Sequence, residues 1–309
     1  MADTLWFDDV PVIGAWAPEQ AAQKLREIGE DEMASQLTRT KDASRGATTF
    51  GEAGKGGFWP FQDKPWQHTE HAFGYLGLAT SSEDKVIIQP VENVQPDLSL
   101  KNARVKITLD RLYVADYPGR GVHLILFDFF AQNQVSHQTE DLHFNATYRV
   151  YEGDHAAVRG NPIFVGLNVG SEGLIFKCRT VNVQNEQDEA FLKFLDSETF
   201  RNGLNLASTI QPAIKPLSEM AFSLTKAIMT RNRNVPVQDF SIGLDFSSNN
   251  LRPRLAEGSY LAVQVPASLK SSWEWDDWVY CKGKIVNRFD TAETIPFNYL
   301  AFSISRYET

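Results

Sequence analysis

A chain of 309 residues, 42% hydrophobic and 12% aromatic, carries enough apolar material for a sizeable core without disulfide staples. Its 39 acidic and 30 basic side chains leave a net charge of −9, with Lys and Arg scattered, which excludes the clustered basic surface that a nucleic-acid partner requires. No apolar run approaches the ~20 residues of a transmembrane segment, and the opening MADTLWFDDVPVIGAW has acids where a signal peptide has bases. The expectation is a cytoplasmic protein in which Cys178 and Cys281, each in an alternating apolar segment, remain free thiols.

Residues 1–80 read as an N-terminal arm. Pro18 suits a first helical turn, and Ala21, Leu25 and Ile28 share one stripe; Gly29 permits a break before Met33 and Leu37 at i, i+4 spacing. Residues 39–57 are rich in Gly, Ala, Ser and Thr and predict a flexible linker, with Arg39, Lys41, Arg45 and Lys55 as protease-accessible sites. The segment FWPFQDKPW, residues 58–66, then brings four aromatics that favour docking on a surface over solvation. Trp59 and Trp66 are therefore candidate partner-binding residues.

Residues 81–309 form the second unit, a β-sandwich domain. From Lys85 the apolar period becomes two: VIIQPV, ARVKITLDRLYV, GVHLILFDFF, DLHFNATYRVY, PIFVGLNV and GLIFKCRTVNV read as strands between Gly, Pro and Asn turns. In the second of these, Val105, Ile107 and Leu109 share one face while Leu112 and Val114 belong to the other register; a bulge near Asp110 and Arg111 would reunite them. GVHLILFDFF is apolar on both faces, as a central strand should be. A helical insertion follows at about 187–232. Phe191, Leu192, Phe194 and Leu195 occupy its first segment, and Pro216 opens a helix whose stripe of Leu217, Met220, Ala221, Leu224, Ala227 and Ile228 should face the sheet. Strands resume with VQDFSIGLDF, SYLAVQV, DWVYCKGKIV and IPFNYLAFSIS. The whole predicts a mainly β fold, a two-layer antiparallel β-sandwich with a helical insertion and a helical, aromatic N-terminal arm.

The densest chemical signal is SSWEWDDWVY, residues 271–280. An extended 273–276 would place Trp273 and Trp275 on one face and Glu274 and Asp276 on the other. With Trp278 they form a candidate binding platform, or the capped end of a sandwich core. Asp276 and Asp277 are candidate ligands for a hard cation such as Ca²⁺, although the D-x-D-x-D-G ladder of a calcium loop is missing. His68-Thr-Glu-His71 departs from the H-E-x-x-H spacing of zinc proteases, GEAGKGG at 51–57 lacks the first glycine of a phosphate loop, and VGSEG at 169–173 lacks the first glycine of a nucleophile elbow.

Residues 105–127, VKITLDRLYVADYPGRGVHLILF, run strand, Asp-bearing loop, strand, and resemble the start of a C2-type β-sandwich. In that family a loop aspartate precedes a turn and a strand opening on a second aspartate. Asp116 matches the first position and Val122 occupies the second. The resemblance implies a sandwich; it leaves Asp116 as a third candidate metal ligand without its partner, so no cofactor is expected.

Three functions remain open. The first is a non-enzymatic protein-interaction or regulatory module, part of a larger assembly, with another protein as its partner and the arm as a docking or releasable segment. The second is a carbohydrate- or lipid-headgroup-binding sandwich using Trp273, Trp275 and Trp278. The third is a metal-dependent hydrolase whose residues are gathered from distant strands.

Overall fold

The computed structural model describes residues 6–43, 64–78, 85–135, 138–158, 160–196, 202–207, 211–247 and 251–308. Residues 44–63, which hold most of the expected linker and Phe58, Trp59 and Phe61, lie outside them. The alternating segments all become strands: β1 (Glu70–Gly77), β2 (Lys85–Ile87), β3 (Gln89–Pro90), β4 (Arg104–Val114), β5 (Val122–Val135), β6 (Gln138–Tyr151), β7 (Asp154–His155), β8 (Asn161–Asn168), β9 (Gly173–Val183), β10 (Leu204–Asn205), β11 (Val235–Asp245), β12 (Gly258–Val265), β13 (Trp278–Cys281), β14 (Lys284–Asn287) and β15 (Tyr299–Arg306). Helices are α1 (Pro18–Glu27), α2 (Asp31–Ala43), α3 (Glu186–Leu192), α4 (Gln211–Met229) and α5 (Ala267–Lys270). No helix among the described residues is long and apolar enough to cross a membrane.

The protein is mainly β, a sandwich of antiparallel sheets with a few helices. An eight-stranded sheet runs β10-β8-β4-β15-β12-β1-β3, with β7 paired to β4; the short β10–β8 pair is parallel. It faces a four-stranded sheet ordered β11-β9-β5-β6. Alternation puts Val105, Ile107, Tyr260, Ala262 and Phe302 of the first against Ile125, Phe127, Phe129, Phe176 and Ile242 of the second, in one continuous core. The bulge in β4 is present. Ala301 pairs with Arg111 and Phe302 with Leu109, so Asp110 is the extra residue and Leu112 and Val114 return to the core face beside Leu109.

Each sheet is also covered on its outer side. A three-stranded sheet, β14-β13-β2, packs Ile285 and Trp275 against Ala72, Leu261, Val263 and Tyr299 of the large sheet. Helix α4, α3 and the arm cover the four-stranded sheet, with Trp6, Phe7, Leu192 and Ile228 on Leu126, Phe130 and Val181. Strand β5 is thus apolar on both faces because both faces are buried, and it lies between β9 and β6 rather than at an edge.

The described part of the arm is built into the molecule. Ile13, Ala21, Ala22 and Leu25 are fully buried in the inter-sheet core, and β1, which precedes residue 80, is hydrogen-bonded between β12 and β3. Helix α2 continues to Ala43, beyond the predicted start of the linker at residue 39. Helix α4 starts at Gln211 rather than Pro216, so Pro216 lies inside the helix instead of opening it. Its face also differs from the apolar stripe. Leu217 and Met220 are exposed, and the buried line is Ile214, Ser218, Ala221, Thr225 and Ile228.

Polar side chains on the outer face of the four-stranded sheet explain that rotation. Asp128, fully buried, meets His143 Nδ1 at 2.6 Å, and Thr225 Oγ1 donates to it at 2.9 Å. Asn145 Nδ2 donates to Asp128 and Thr225, and the His143 amide donates to Ser218 Oγ at 2.7 Å. Arg179, 1% exposed, holds the arm by donating to the Phe7 carbonyl and to Asp239 at 3.0 Å each, and to the Val10 carbonyl. Removing the buried guanidinium leaves the Phe7 and Val10 carbonyls and the partly exposed Asp239 carboxylate without that donor. Arg179→Met is expected to lower stability by about 3 kcal/mol in urea denaturation, with red-shifted tryptophan emission from Trp6; a loss below ~1 kcal/mol would mean the arm is held by its apolar contacts alone.

Candidate functional site

The tryptophan segment lies at the rim of the three-stranded sheet, and its geometry begins with Gly74 on β1. A Cβ there would stand 2.6 Å from Ile88 Cγ2 and 2.9 Å from Trp275 Cζ2, so the bare backbone makes room for the Trp275 indole. Trp275 Nε1 donates to the Phe73 carbonyl at 2.9 Å, and the residue is 5% exposed. The chain does not remain extended: Trp275–Asp277 form a 3-10 turn, and β13 starts only at Trp278. Trp273 and Trp275 therefore do not lie side by side on one face but meet edge to face, with centroids 5.4 Å apart at 75°.

Trp278 takes the place expected of Trp275. Its ring is parallel to that of Trp273, within 4° and 6.2 Å between centroids, and Phe297 abuts Trp273 edge-on at 5.9 Å. Both stacked indoles are half-buried, while Glu274, Asp276 and Asp277 around them are exposed. None of these three carboxylates forms an ion pair among the described residues. Trp273 Nε1 is itself buried without an acceptor. The segment is thus a rigid aromatic pair, locked from behind by Trp275, inside an acidic rim.

The remaining candidates separate from it. Trp66, read as a docking residue, is fully buried in the inter-sheet core, because the segment that carries it turns inward ahead of β1. Trp59 lies outside the described residues. Asp116 is 6% exposed, ion-paired with Lys64, and its backbone amide donates to Asn298 Oδ1 at 3.1 Å. Lys64 neutralises it, and the Glu152 and Glu30 carboxylates lie near the same lysine. No group of three His, Cys, Asp or Glu converges as metal ligands among the described residues, so Asp116, Asp276 and Asp277 are not brought together. Cys178 is buried and Cys281 half-buried, both free.

The constellation that sequence reasoning missed is the one beneath α4. An Asp128–His143 pair beside Ser218 has the components of a nucleophilic site, but Ser218 Oγ engages the His143 backbone amide. Trp6 is stacked on the imidazole at 6.0 Å, with Phe7, Phe130 and Phe222 also around it. The only signal in the sequence was polar residues at alternate positions of two otherwise apolar strands. Compared with known proteins, the chain matches no family model, no curated protein and no solved structure.

His68 and His71, whose spacing departs from that of zinc proteases, are not a surface pair: they flank the start of β1 and face the interior at 8% and 6% exposure. Burial pushes both imidazoles down to about 4, and Gln238 only partly offsets this at His71. In the unfolded chain each takes up a proton near pH 6.5, whereas the folded protein resists until about 4. Stability is therefore full above pH 6.5 and falls as pH drops toward 4, by up to ~3 kcal/mol per histidine. Urea midpoints measured from pH 7 to 4.5 should decline, and His71→Gln should flatten the decline; an unchanged slope would contradict the assignment.

Proposed function

We propose that the protein is a non-enzymatic β-sandwich interaction module that binds another protein through the rim formed by Trp273, Trp278 and Phe297. The observation that carries this reading is the half-buried parallel indole pair, locked by Trp275 and bordered by the exposed carboxylates of Glu274, Asp276 and Asp277, which have no ion-pair partner among the described residues. Aromatic rings held rigid by their neighbours give contact area at little entropic cost, and such residues dominate binding energy at protein interfaces. The acidic border favours a partner segment bearing Lys or Arg, whose cations are attracted both to the carboxylates and to indole faces. The described arm, which is committed to the core, acts in this reading as structural support for the layers, and docking falls to the rim.

The same indoles would also stack on a sugar ring, so the test includes glycans. Photo-crosslinking from position 274 in the native host identifies what contacts the rim. Trp273→Ala combined with Trp278→Ala should abolish capture of a protein partner, and the triple change Glu274→Gln, Asp276→Asn, Asp277→Asn, made at exposed positions, should weaken it ~10-fold. Capture unaffected by both sets of changes would remove the reading. Saturable quenching of tryptophan emission by glycans, with no captured protein, would replace it by the carbohydrate alternative.

A further inference from the structure

The bulge at Asp110 has a second consequence on the opposite side of β4. Beyond it Arg111 and Tyr113 point to the outer face of the large sheet, away from Leu112 and the core. Tyr113 pairs in register with His155 of β7 on one side and Tyr299 of β15 on the other, with ring centroids at 4.8 and 5.1 Å. His155 Nε2 lies 2.9 Å from the Tyr299 hydroxyl, which is fixed in a side chain 1% exposed.

The β13–β14 hairpin closes over this group through Lys282 and Gly283, whose φ values of 48° and 88° are those of a two-residue turn twisted to suit the strands. Gly283 is required for space as well as conformation: a Cβ would stand 2.8 Å from Arg111 Nη2 and 3.3 Å from its Cζ, so the guanidinium lies against the turn backbone. Lys284 follows directly. After burial, the cations of Lys284 and Arg111 are the main influences that hold the His155 imidazole down to about 4, opposed only by Asp154, whose carboxylate accepts from the His155 amide. Among the described residues neither Arg111 nor Lys284 has an ion-pair partner.

Arg111, Lys284 and a neutral His155 thus lie near one another in a chain of net charge −9. A guanidinium held against backbone with no carboxylate partner among the described residues is open to an incoming anion, which its planar fork can meet with two parallel hydrogen bonds. We propose that Arg111, Lys284 and His155 form a binding site for a phosphate-type oxyanion. Arg111 offers its planar fork to two oxygens and Lys284 a point charge. The Tyr299 hydroxyl, kept protonated by burial, is within hydrogen-bond distance of His155 Nε2, and in the tautomer in which that nitrogen accepts, Nδ1–H is left as a third donor.

The test is NMR titration of the His155 ring signals in the full chain with inorganic phosphate and phenyl phosphate, alongside flotation with phosphatidic acid vesicles and phosphatidylcholine vesicles. Saturable shifts are expected, weakened at least ~10-fold by Arg111→Gln and by Lys284→Gln, with Lys282→Gln, in the same turn, unchanged. Lys284 is exposed, so its variant reads binding apart from folding. Arg111-dependent flotation with phosphatidic acid alone identifies a lipid headgroup as the source, and shifts without flotation identify a free phosphate compound. No saturable shift at tens-of-millimolar phosphate, or equal binding by the Lys284 and Lys282 variants, overturns the proposal.

Discussion

A β-sheet with large apolar side chains on both faces cannot present either face to water, and the four-stranded sheet at the centre of this protein is such a sheet. Phe127 and Phe129 of β5 point to one side and Leu126 and Phe130 to the other, all fully buried. One side is met by the large sheet. The other must be met by elements that a two-layer sandwich lacks, and α3, α4 and the arm supply them. Because that outer face also carries Asp128, Arg179 and His143, the covering elements must bring hydrogen-bond partners with their apolar surface. Thr225 and Ser218 from α4, and the carbonyls of Phe7 and Val10 from the arm, are those partners. The helix is rotated to deliver them, which leaves Leu217 and Met220 outside.

The layering also decides where binding surfaces can exist. On the arm side, the polar residues are consumed by structure. On the far side, the three-stranded sheet is the outermost layer, and its β13–β14 hairpin carries Trp278 where it begins and Gly283 where it turns. The strand Trp278–Cys281, roughly 10 Å long, separates the two. The aromatic, acidic rim and the Arg111 nook therefore sit toward opposite ends of one hairpin, with opposite charge. A chain whose composition gives only a modest negative balance is locally polarised at this layer, and net charge alone could not reveal that.

Much of the fold was legible because hydrophobic period reports burial directly. The slip between Leu109 and Leu112 located the bulge near Asp110 and Arg111, and the doubly apolar GVHLILFDFF located the central strand. Strand β1 escaped because Gly74 and Gly77 dilute its pattern; Gly74 is there to admit Trp275, a contact 201 positions away in sequence that no local rule can see. The α4 face escaped for a related reason: periodicity assumes that a buried surface is apolar, whereas this one complements Asp128 and Asn145. Of the tryptophan segment, the clustering was legible but the pairing was not, since it depended on a 3-10 turn that exchanges Trp275 for Trp278 as the partner of Trp273. The Arg111, His155 and Lys284 grouping draws on three distant segments and had no sequence signature.

If the doubly covered four-stranded sheet organises the molecule, its cover and its strands should open together. Native-state hydrogen exchange followed residue by residue tests this most directly. The account predicts that the amides of β5 and β9 are the slowest to exchange, and that the Val10 amide, bonded to the Phe7 carbonyl at 3.0 Å, exchanges only with them in the same global opening. Rapid exchange at Val10 while β5 and β9 stay protected would show that the arm is a separable attachment, and would contradict the claim that the sheet depends on it.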